Sequence, residues 1–150
     1  VLISHCMDKA QQSYEQEKQP HMLELASSYV EKLTGERYTL DILGINKGVA
    51  LINNNGERLE LKFWSSGLAD QVYLSLRLAL AKVFSYQVES LPIILDDILV
   101  RFDENRQRSA LELLAELGKN QQIWLFTCQR SVYDMAQSIM GIDCHRLSRS

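Results

Sequence analysis

Two groups of residues in the middle of the chain have types and spacing that suit phosphate chemistry. The first group is the run Ser65-Ser66-Gly67, which lies just before a helical pattern. The unpaired N–H groups of a helix's first turn, together with serine hydroxyls, form a site for an anion such as phosphate. An ordinary serine N-cap is the alternative interpretation of this run.

The second group is a pair of acids, Asp96 and Asp97, that follows the apolar run 91–95. Proline occurs only at the entry of that run, which predicts a strand covered on both faces. Ligands bind at the carboxyl edge of an α/β sheet, where adjacent carboxylates repel each other unless a cation or a proton intervenes. The pair therefore predicts a Mg²⁺ site, and a solvated acidic turn is the alternative.

Helical and strand patterns around these groups predict the elements that position them. After Gly67, apolar residues recur at helical spacing, and we expect one buried helix face made of Val72, Leu76, Leu80 and Val83. After the acids, Asp103 is expected to cap a helix that ends at Gly118 and turns three leucines to the core: Leu111, Leu114 and Leu117. A buried strand at 122–127, a helix through 132–139 and a short strand at 144–147 complete this part.

The segment before Trp64 divides into a helical and a strand region. Residues 38–63 predict an antiparallel meander with turns at 46–48 and 54–56, and with three apolar residues alternating against charged ones: Leu59, Leu61 and Phe63. Earlier apolar residues step by three and four, first as Ile3, Met7, Ala10 and Tyr14, and after Pro20 as Met22, Ala26, Tyr29 and Leu33. The end of a coiled coil and an amphipathic helix packed on its own domain both fit this pattern, and Gly35 ends it.

In this order the elements resemble the C-terminal half of an ABC-type ATPase head of the SMC, SbcC and RecN group, and most closely YhaN-type ATPases. Residues 64–67 with 74–80 look like the signature helix, and residues 93–97 look like Walker B. Residues 100–103 look like the D-loop, and residues 123–129, with Phe-Thr-Cys, look like the switch strand. The implied fold is an α/β lobe, with a coiled-coil-type helix at 1–34 and the ATPase lobe at 35–150.

The resemblance implies a mechanism in which two dimerised heads enclose ATP and Mg²⁺. Ser65, Ser66 and Gly67 would contact the γ-phosphate in trans, and Asp103 would link the two sites across the dimer. Asp103 belongs to the D-loop in this assignment.

Three more roles follow from the same resemblance, at the ends of the Walker B and switch strands. Asp96 would hold Mg²⁺ through water, and Asp97 would orient or deprotonate the attacking water. Gln129 would sense the γ-phosphate.

The chain also departs from the family pattern. Ser66 replaces the first glycine of the signature, Leu68 replaces a polar residue, and Asp97 stands where many ABC proteins have glutamate. Gln129 stands at the position of the switch histidine. Since glutamine donates hydrogen bonds but cannot carry a proton as imidazole does, fast hydrolysis is the property most affected.

The sequence contains no Gly-x-x-x-x-Gly-Lys-[Ser/Thr] motif. The resemblance implies that the P-loop lies in an N-terminal half of the same protein. A start at Val1 without a signal-peptide pattern suits an excised segment, which we expect to be inactive alone. The implied partners are that N-terminal half, a second head in a homodimer, and DNA with a nuclease partner. DNA repair or DNA-end processing is the implied task.

Composition fits one folded core without a membrane span, since the 150 residues are 46% hydrophobic and 23% charged. The net charge of −3 argues against a dedicated nucleic-acid-binding domain. Arg101, Arg106 and Arg108 are interpreted as a solvated helix surface, and a local basic patch is the alternative. Three cysteines without paired spacing indicate reduced thiols in a cytoplasmic protein.

Two other functions remain open on the sequence. The first is a non-catalytic dimerisation or interaction module with a vestigial ATPase surface, which the missing switch histidine favours. The second is a receiver-like phosphoacceptor, which also uses an acid pair and Mg²⁺. The late position of the acids and the lack of a lysine directly after Thr127 argue against a receiver.

Overall fold

In a computed structural model, which describes residues 20–42, 48–86 and 91–147, helices and strands alternate in the second half of the chain. The helices are α1 (20–34), α2 (Ser66–Ser85), α3 (Glu104–Gly118) and α4 (Arg130–Ala136). The strands are β1 (Tyr38–Ile42), β2 (Val49–Asn53), β3 (Arg58–Leu59), β4 (Ile93–Asp96) and β5 (Ile123–Phe126). A 3₁₀ turn at Leu61–Phe63 joins β3 to α2.

Strands β1, β2 and β3 form the predicted antiparallel meander, in which Leu40 pairs with Leu51 and Leu51 with Leu59. The predicted turn at 54–56 is present, since the Gly56 N–H donates to the Asn53 carbonyl at 2.9 Å. The predicted turn at 46–48 lies mostly outside the described residues.

The prediction that strand alternation continues through Leu61 and Phe63 is wrong. Both side chains lie in the 3₁₀ turn and are 64% and 62% exposed. The chain turns here to enter α2, and Trp64 takes the inward position instead. Its indole Nε1 donates to the Leu59 carbonyl at 3.0 Å, and its ring packs against the cluster of Val30, Leu51, Leu68 and Val72.

Strands β4 and β5 pair in parallel, and α3 is the connection that a parallel pair requires. Ile93 lies opposite Ile123 and Leu95 opposite Leu125, and all four side chains pack against the main core. The core itself is made of residues from all four helices and from the turn after β4, where Leu99 and Phe102 are buried.

The prediction that both strands are covered on both faces is wrong for the described residues. On the face turned away from the core, Ile94, Trp124 and Phe126 are 68%, 47% and 45% exposed. The reason is that the helices described here pack on only one side of the pair. We call these three residues the open sheet face.

Helix α2 has the predicted start, but its buried face differs from the predicted one. Gln71 and Ser75 are buried with Val72 and Ala79, whereas Leu80 is 45% exposed. At about 100° per residue, the buried arc is centred near Ser75 and Ala79, and Leu80 falls outside it. Polar and small residues that an apolar count leaves out therefore define this face.

Helix α1 carries the predicted stripe, with Ala26, Tyr29 and Leu33 buried in the main core. It ends at Gly35, whose φ is +64°, and the Glu36 N–H donates to the Glu31 carbonyl at 2.7 Å, as in a Schellman cap. Residues 20–34 thus pack on the lobe. The predicted coiled-coil seam at 3–14 lies outside the described residues, and the boundary at residue 34 stays a prediction.

At the other end of the chain, the prediction of a short strand at 144–147 is wrong. Residues 142–147 follow α4 without forming a strand, because they pair with neither described sheet. Ile142 and Cys144 instead pack against the main core.

Among the described helices, none has both the length and the apolar composition that crossing a bilayer demands.

Two leucine truncations test the assignment of the core. Leu111, on α3, is 1% exposed, and Leu61 is 64% exposed. Leu111→Ala should lower the free energy of unfolding by about 2–5 kcal/mol, because it leaves a cavity. Leu61→Ala deletes the same atoms at an exposed position and should change the free energy of unfolding by less than about 0.5 kcal/mol. Urea unfolding of both variants measures the difference, and equal losses would contradict this core.

Candidate functional site

The parallel pairing of β4 and β5 brings the predicted acids and the predicted switch residue to one edge of the sheet. Asp96 pairs with Phe126, so the residues that follow each strand, Asp97 and 127–129, lie side by side. We call this group the sheet-edge cluster. Sequence reasoning predicted these residues separately, and the structure places them together.

Asp97 is held tightly within the sheet-edge cluster. Its N–H donates to the Phe126 carbonyl at 2.9 Å, and its Oδ1 accepts from the Cys128 N–H at 3.0 Å. The Cys128 thiol lies 3.2 Å from the other carboxylate oxygen, Oδ2. The Asp97 backbone has φ of +46°, a left-handed conformation that aspartate tolerates better than most residues.

These contacts also fix the charge of the pair. Hydrogen bonds from the Cys128 N–H, the Cys128 thiol and the Thr127 side chain lower the pKa of Asp97. The same carboxylate raises the pKa of the Cys128 thiol. Asp97 is therefore an anion at neutral pH, and Cys128 is a neutral thiol that donates to it.

Asp96 is exposed at the end of β4 and offers hard oxygen donors to solvent. The described residues contain no group of three or more His, Cys, Asp or Glu side chains that could hold a metal by themselves. This donor set fits Mg²⁺, which commonly binds one or two carboxylates and takes its remaining ligands from water and substrate phosphates.

Gln129 precedes α4, and its backbone N–H donates to the Thr127 hydroxyl at 3.1 Å. Its side-chain Oε1 accepts a hydrogen bond from Nε2 of Gln107, on α3, at 3.1 Å. Gln107 was not predicted from the sequence. The available signal was a glutamine at a helical position that faces inward.

The predicted signature residues lie at the N-terminus of α2. Ser65 is the N-cap, and its Oγ accepts from the Leu68 N–H at 3.2 Å, so the N-cap interpretation describes the chain as it stands. Ser65 and Ser66 are both exposed. The cap uses one acceptor lone pair of Ser65 Oγ and leaves its proton free to donate.

Gly67 is buried because Arg106 lies over it. A Cβ at Gly67 would come within 2.5 Å of Arg106 Nη1 and 3.5 Å of the Arg101 carbonyl. Arg106 is held in turn by Asp103, the N-cap of α3. The Arg106 Nε lies 3.1 Å from Asp103 Oδ2, and the Arg106 backbone N–H donates to Asp103 Oδ1 at 3.0 Å. The predicted D-loop aspartate therefore lies next to the predicted signature.

An ion pair joins α2 to the turn before α3. Arg101 contacts both carboxylate oxygens of Asp70, on α2, through Nε and Nη2 at 2.7 Å each. Arg101 and Arg106 are thus paired with acids rather than simply solvated, while Arg108 is exposed. We call Ser65–Gly67, Asp70, Arg101, Asp103 and Arg106 the signature cluster.

Helix α3 and the turn before it connect the two clusters. Ser65, Asp103 and Arg106 line one groove of about 250 Å³, which also includes the end of α1. One turn further along α3, Gln107 faces Gln129 in the sheet-edge cluster. The first two turns of α3 therefore contact both clusters.

Solved structures show which class of protein has this fold. A structure from work on ATP-driven dimerization and DNA-stimulated activation of SMC ATPases superposes with a TM-score of 0.68 at 15% identity, covering 89% of this chain and 83% of that one. The Smc head domain with a coiled coil and joint from Pyrococcus yayanosii gives 0.66 at 13% identity, covering 88% and 26%. The chain has the fold of an SMC ATPase head, as the motifs predicted.

In sequence, the chain is similar to YhaN of Bacillus subtilis (strain 168), a protein described as uncharacterized. The two are 33% identical over 122 residues, which cover 79% of this chain. The chain spans 12% of the length of YhaN. No protein-family model matches the chain.

Substitutions at Asp97 test its unusual backbone. Asp97→Asn should change the melting temperature little, because asparagine tolerates φ of +46° and still accepts from Cys128. Asp97→Val should lower it by about 3 °C or more, since a β-branched residue is strained there. Asp96→Val, in the neighbouring extended strand, is the control and should have little effect. Equal melting temperatures for the two valine variants would contradict the left-handed assignment.

Proposed function

We propose that this chain is the C-terminal part of an SMC-like, YhaN-like ATPase that hydrolyses ATP between two dimerised heads. The observation that carries the proposal is the sheet-edge cluster. An ionised Asp97 and the amide of Gln129 follow adjacent parallel strands, at the edge where α/β proteins bind ligands. The head fold described above supports the same assignment.

At the sheet edge, Asp97 orients or deprotonates the attacking water. The hydrogen bonds from Cys128 and Thr127 occupy three of the roughly four lone-pair sites of this carboxylate and leave one for that water. Asp96 is the residue that would hold Mg²⁺, through water. When bound, Mg²⁺ supplies charge neutralisation for the phosphate oxygens. Gln129 donates its amide N–H to the γ-phosphate.

The signature cluster acts on the ATP of the other head. Ser65 and Ser66 offer hydroxyls, and the first turn of α2 offers N–H groups, including that of Gly67. Because Arg106 covers Gly67, the guanidinium moves aside or contacts the phosphate itself when the heads close. Asp103 links this cluster to the second site across the dimer.

The open sheet face supports the proposed N-terminal half as a partner. Ile94, Trp124 and Phe126 form an exposed apolar surface on one face of the β4–β5 pair. A P-loop half packed there would bury the face and supply the missing phosphate-binding loop. The second head is the other proposed partner. One solved structure with this fold comes from work on the ATP-driven dimerization of SMC ATPases.

A role at DNA, in repair or in end processing with a nuclease partner, is the part of the proposal that rests on resemblance. The same work on SMC ATPases describes DNA-stimulated activation. Within the described residues, Arg101 and Arg106 are paired with acids and do not add a free basic patch for DNA. Cytoplasmic location stays a prediction.

Gln129 favours one alternative function, a dimerisation or interaction module with a vestigial ATPase surface. Glutamine cannot take up a proton as the switch histidine can. In that case the acids of the sheet edge would bind no reacting water, and the first test below separates the two functions.

Asp97→Asn in the complete protein should slow ATP turnover by at least about 10²-fold, the scale of losing a positioned acid or base. ATP-dependent dimers should persist, because asparagine preserves the shape of the site. Steady-state phosphate release and sedimentation measure the two properties. Asp143→Asn, at an exposed acid outside both clusters, is the matched control. Unchanged turnover in Asp97→Asn would remove Asp97 from the mechanism, and the absence of ATP turnover in the unsubstituted complete protein would favour the vestigial module.

The isolated chain should bind ATP weakly, because the P-loop and its lysine are absent from its sequence. Titration calorimetry with Mg²⁺ and ATP should give a dissociation constant in the millimolar range or weaker. The complete protein measured in the same buffer is the control. A micromolar constant for the isolated chain would place the nucleotide site within this chain and contradict the split-head proposal.

A further inference from the structure

Gln107 is a buried polar residue that connects α3 to the sheet-edge cluster. Its side chain is only 5% exposed, and its Nε2 lies 3.3 Å from the Leu99 carbonyl oxygen and 3.1 Å from Oε1 of Gln129. Buried polar groups are normally hydrogen-bonded, and these two contacts use both protons of the Gln107 amide.

The Leu99 carbonyl sets the direction of the whole network. A backbone carbonyl can only accept, so Gln107 must turn its NH₂ group, and not its oxygen, toward Leu99. The second proton of that NH₂ group then points to Gln129, so the side-chain oxygen of Gln129 must accept it. The two possible orientations of the Gln129 amide are thereby reduced to one.

We propose that Gln107 is a positioning residue that fixes the Gln129 amide with its NH₂ group free for an anionic ligand, the γ-phosphate. This inference rests on the proposed function, which assigns Gln129 to that phosphate. An unrestrained amide would present its oxygen to the phosphate part of the time, and that contact is repulsive. Gln107 removes this orientation before the ligand arrives.

Two substitutions in the complete protein test the inference. Gln107→Glu keeps the shape but has no donor when ionised, so Gln129 must turn its NH₂ group toward residue 107 and its oxygen toward the phosphate. We expect kcat/KM for ATP to fall about tenfold or more, the scale of one hydrogen bond to a charged group. Gln107→Met removes the restraint without reversing it and should cause a smaller loss.

Repeating both substitutions in a Gln129→Ala background distinguishes positioning from a structural role. If Gln107 acts through Gln129, neither change should lower kcat/KM by more than about twofold there. Equal losses in both backgrounds would show a structural role and overturn the inference. Melting temperatures identify any variant that fails to fold, and Gln107→Met carries the comparison if Gln107→Glu is that variant.

The ATP turnover of the unsubstituted complete protein and of Asp97→Asn separates failure of this inference from failure of the proposed function. If Asp97→Asn is inactive while both Gln107 variants keep full kcat/KM, the ATPase assignment holds and the positioning role is wrong. If the unsubstituted complete protein hydrolyses no ATP, the proposed function fails and the inference is overturned with it.

Discussion

The parallel pairing of β4 with β5 is the constraint on which the rest of this lobe depends. A parallel pair needs a crossover, so α3 must begin near the carboxyl end of β4 and return beneath the sheet. The start of α3 and the end of β5 therefore lie at the same edge. Because of that topology, four residues spread over 33 positions of the chain lie near the N-terminus of α3: Asp97, Asp103, Gln107 and Gln129.

Much of the fold could be predicted because its signals are local. Asp103 caps α3 as expected, and Ser65 caps α2 as the alternative interpretation of its motif predicted. Burial was harder to predict, since it depends on what else is present. Ile94 and Trp124 have the apolar character of residues covered on both faces, yet they are exposed here. The proposed N-terminal half, packed on these residues, would account for their apolar pattern.

The contacts of the site could not be predicted, because they join residues that are distant in sequence and have no shared local signal. Arg101 meets Asp70 across 31 positions, and Gln107 meets Gln129 across 22. Motif spacing identified Asp97 and Gln129 as candidates. It placed Cys128 in the switch strand but gave no role to this residue, whose N–H and thiol hold Asp97 in place. The residue types were predictable, and the hydrogen bonds that orient them required the structure.

The left-handed backbone of Asp97 limits how this position can change during evolution. One nucleotide change converts an aspartate codon into a glutamate codon, which would restore the acid that many ABC proteins carry. At φ of +46°, however, aspartate and asparagine are favoured over longer side chains, and the short carboxylate already fits its contacts with Cys128. A change to glutamate would therefore need the turn after β4 to change with it, so the position is confined to a few residue types.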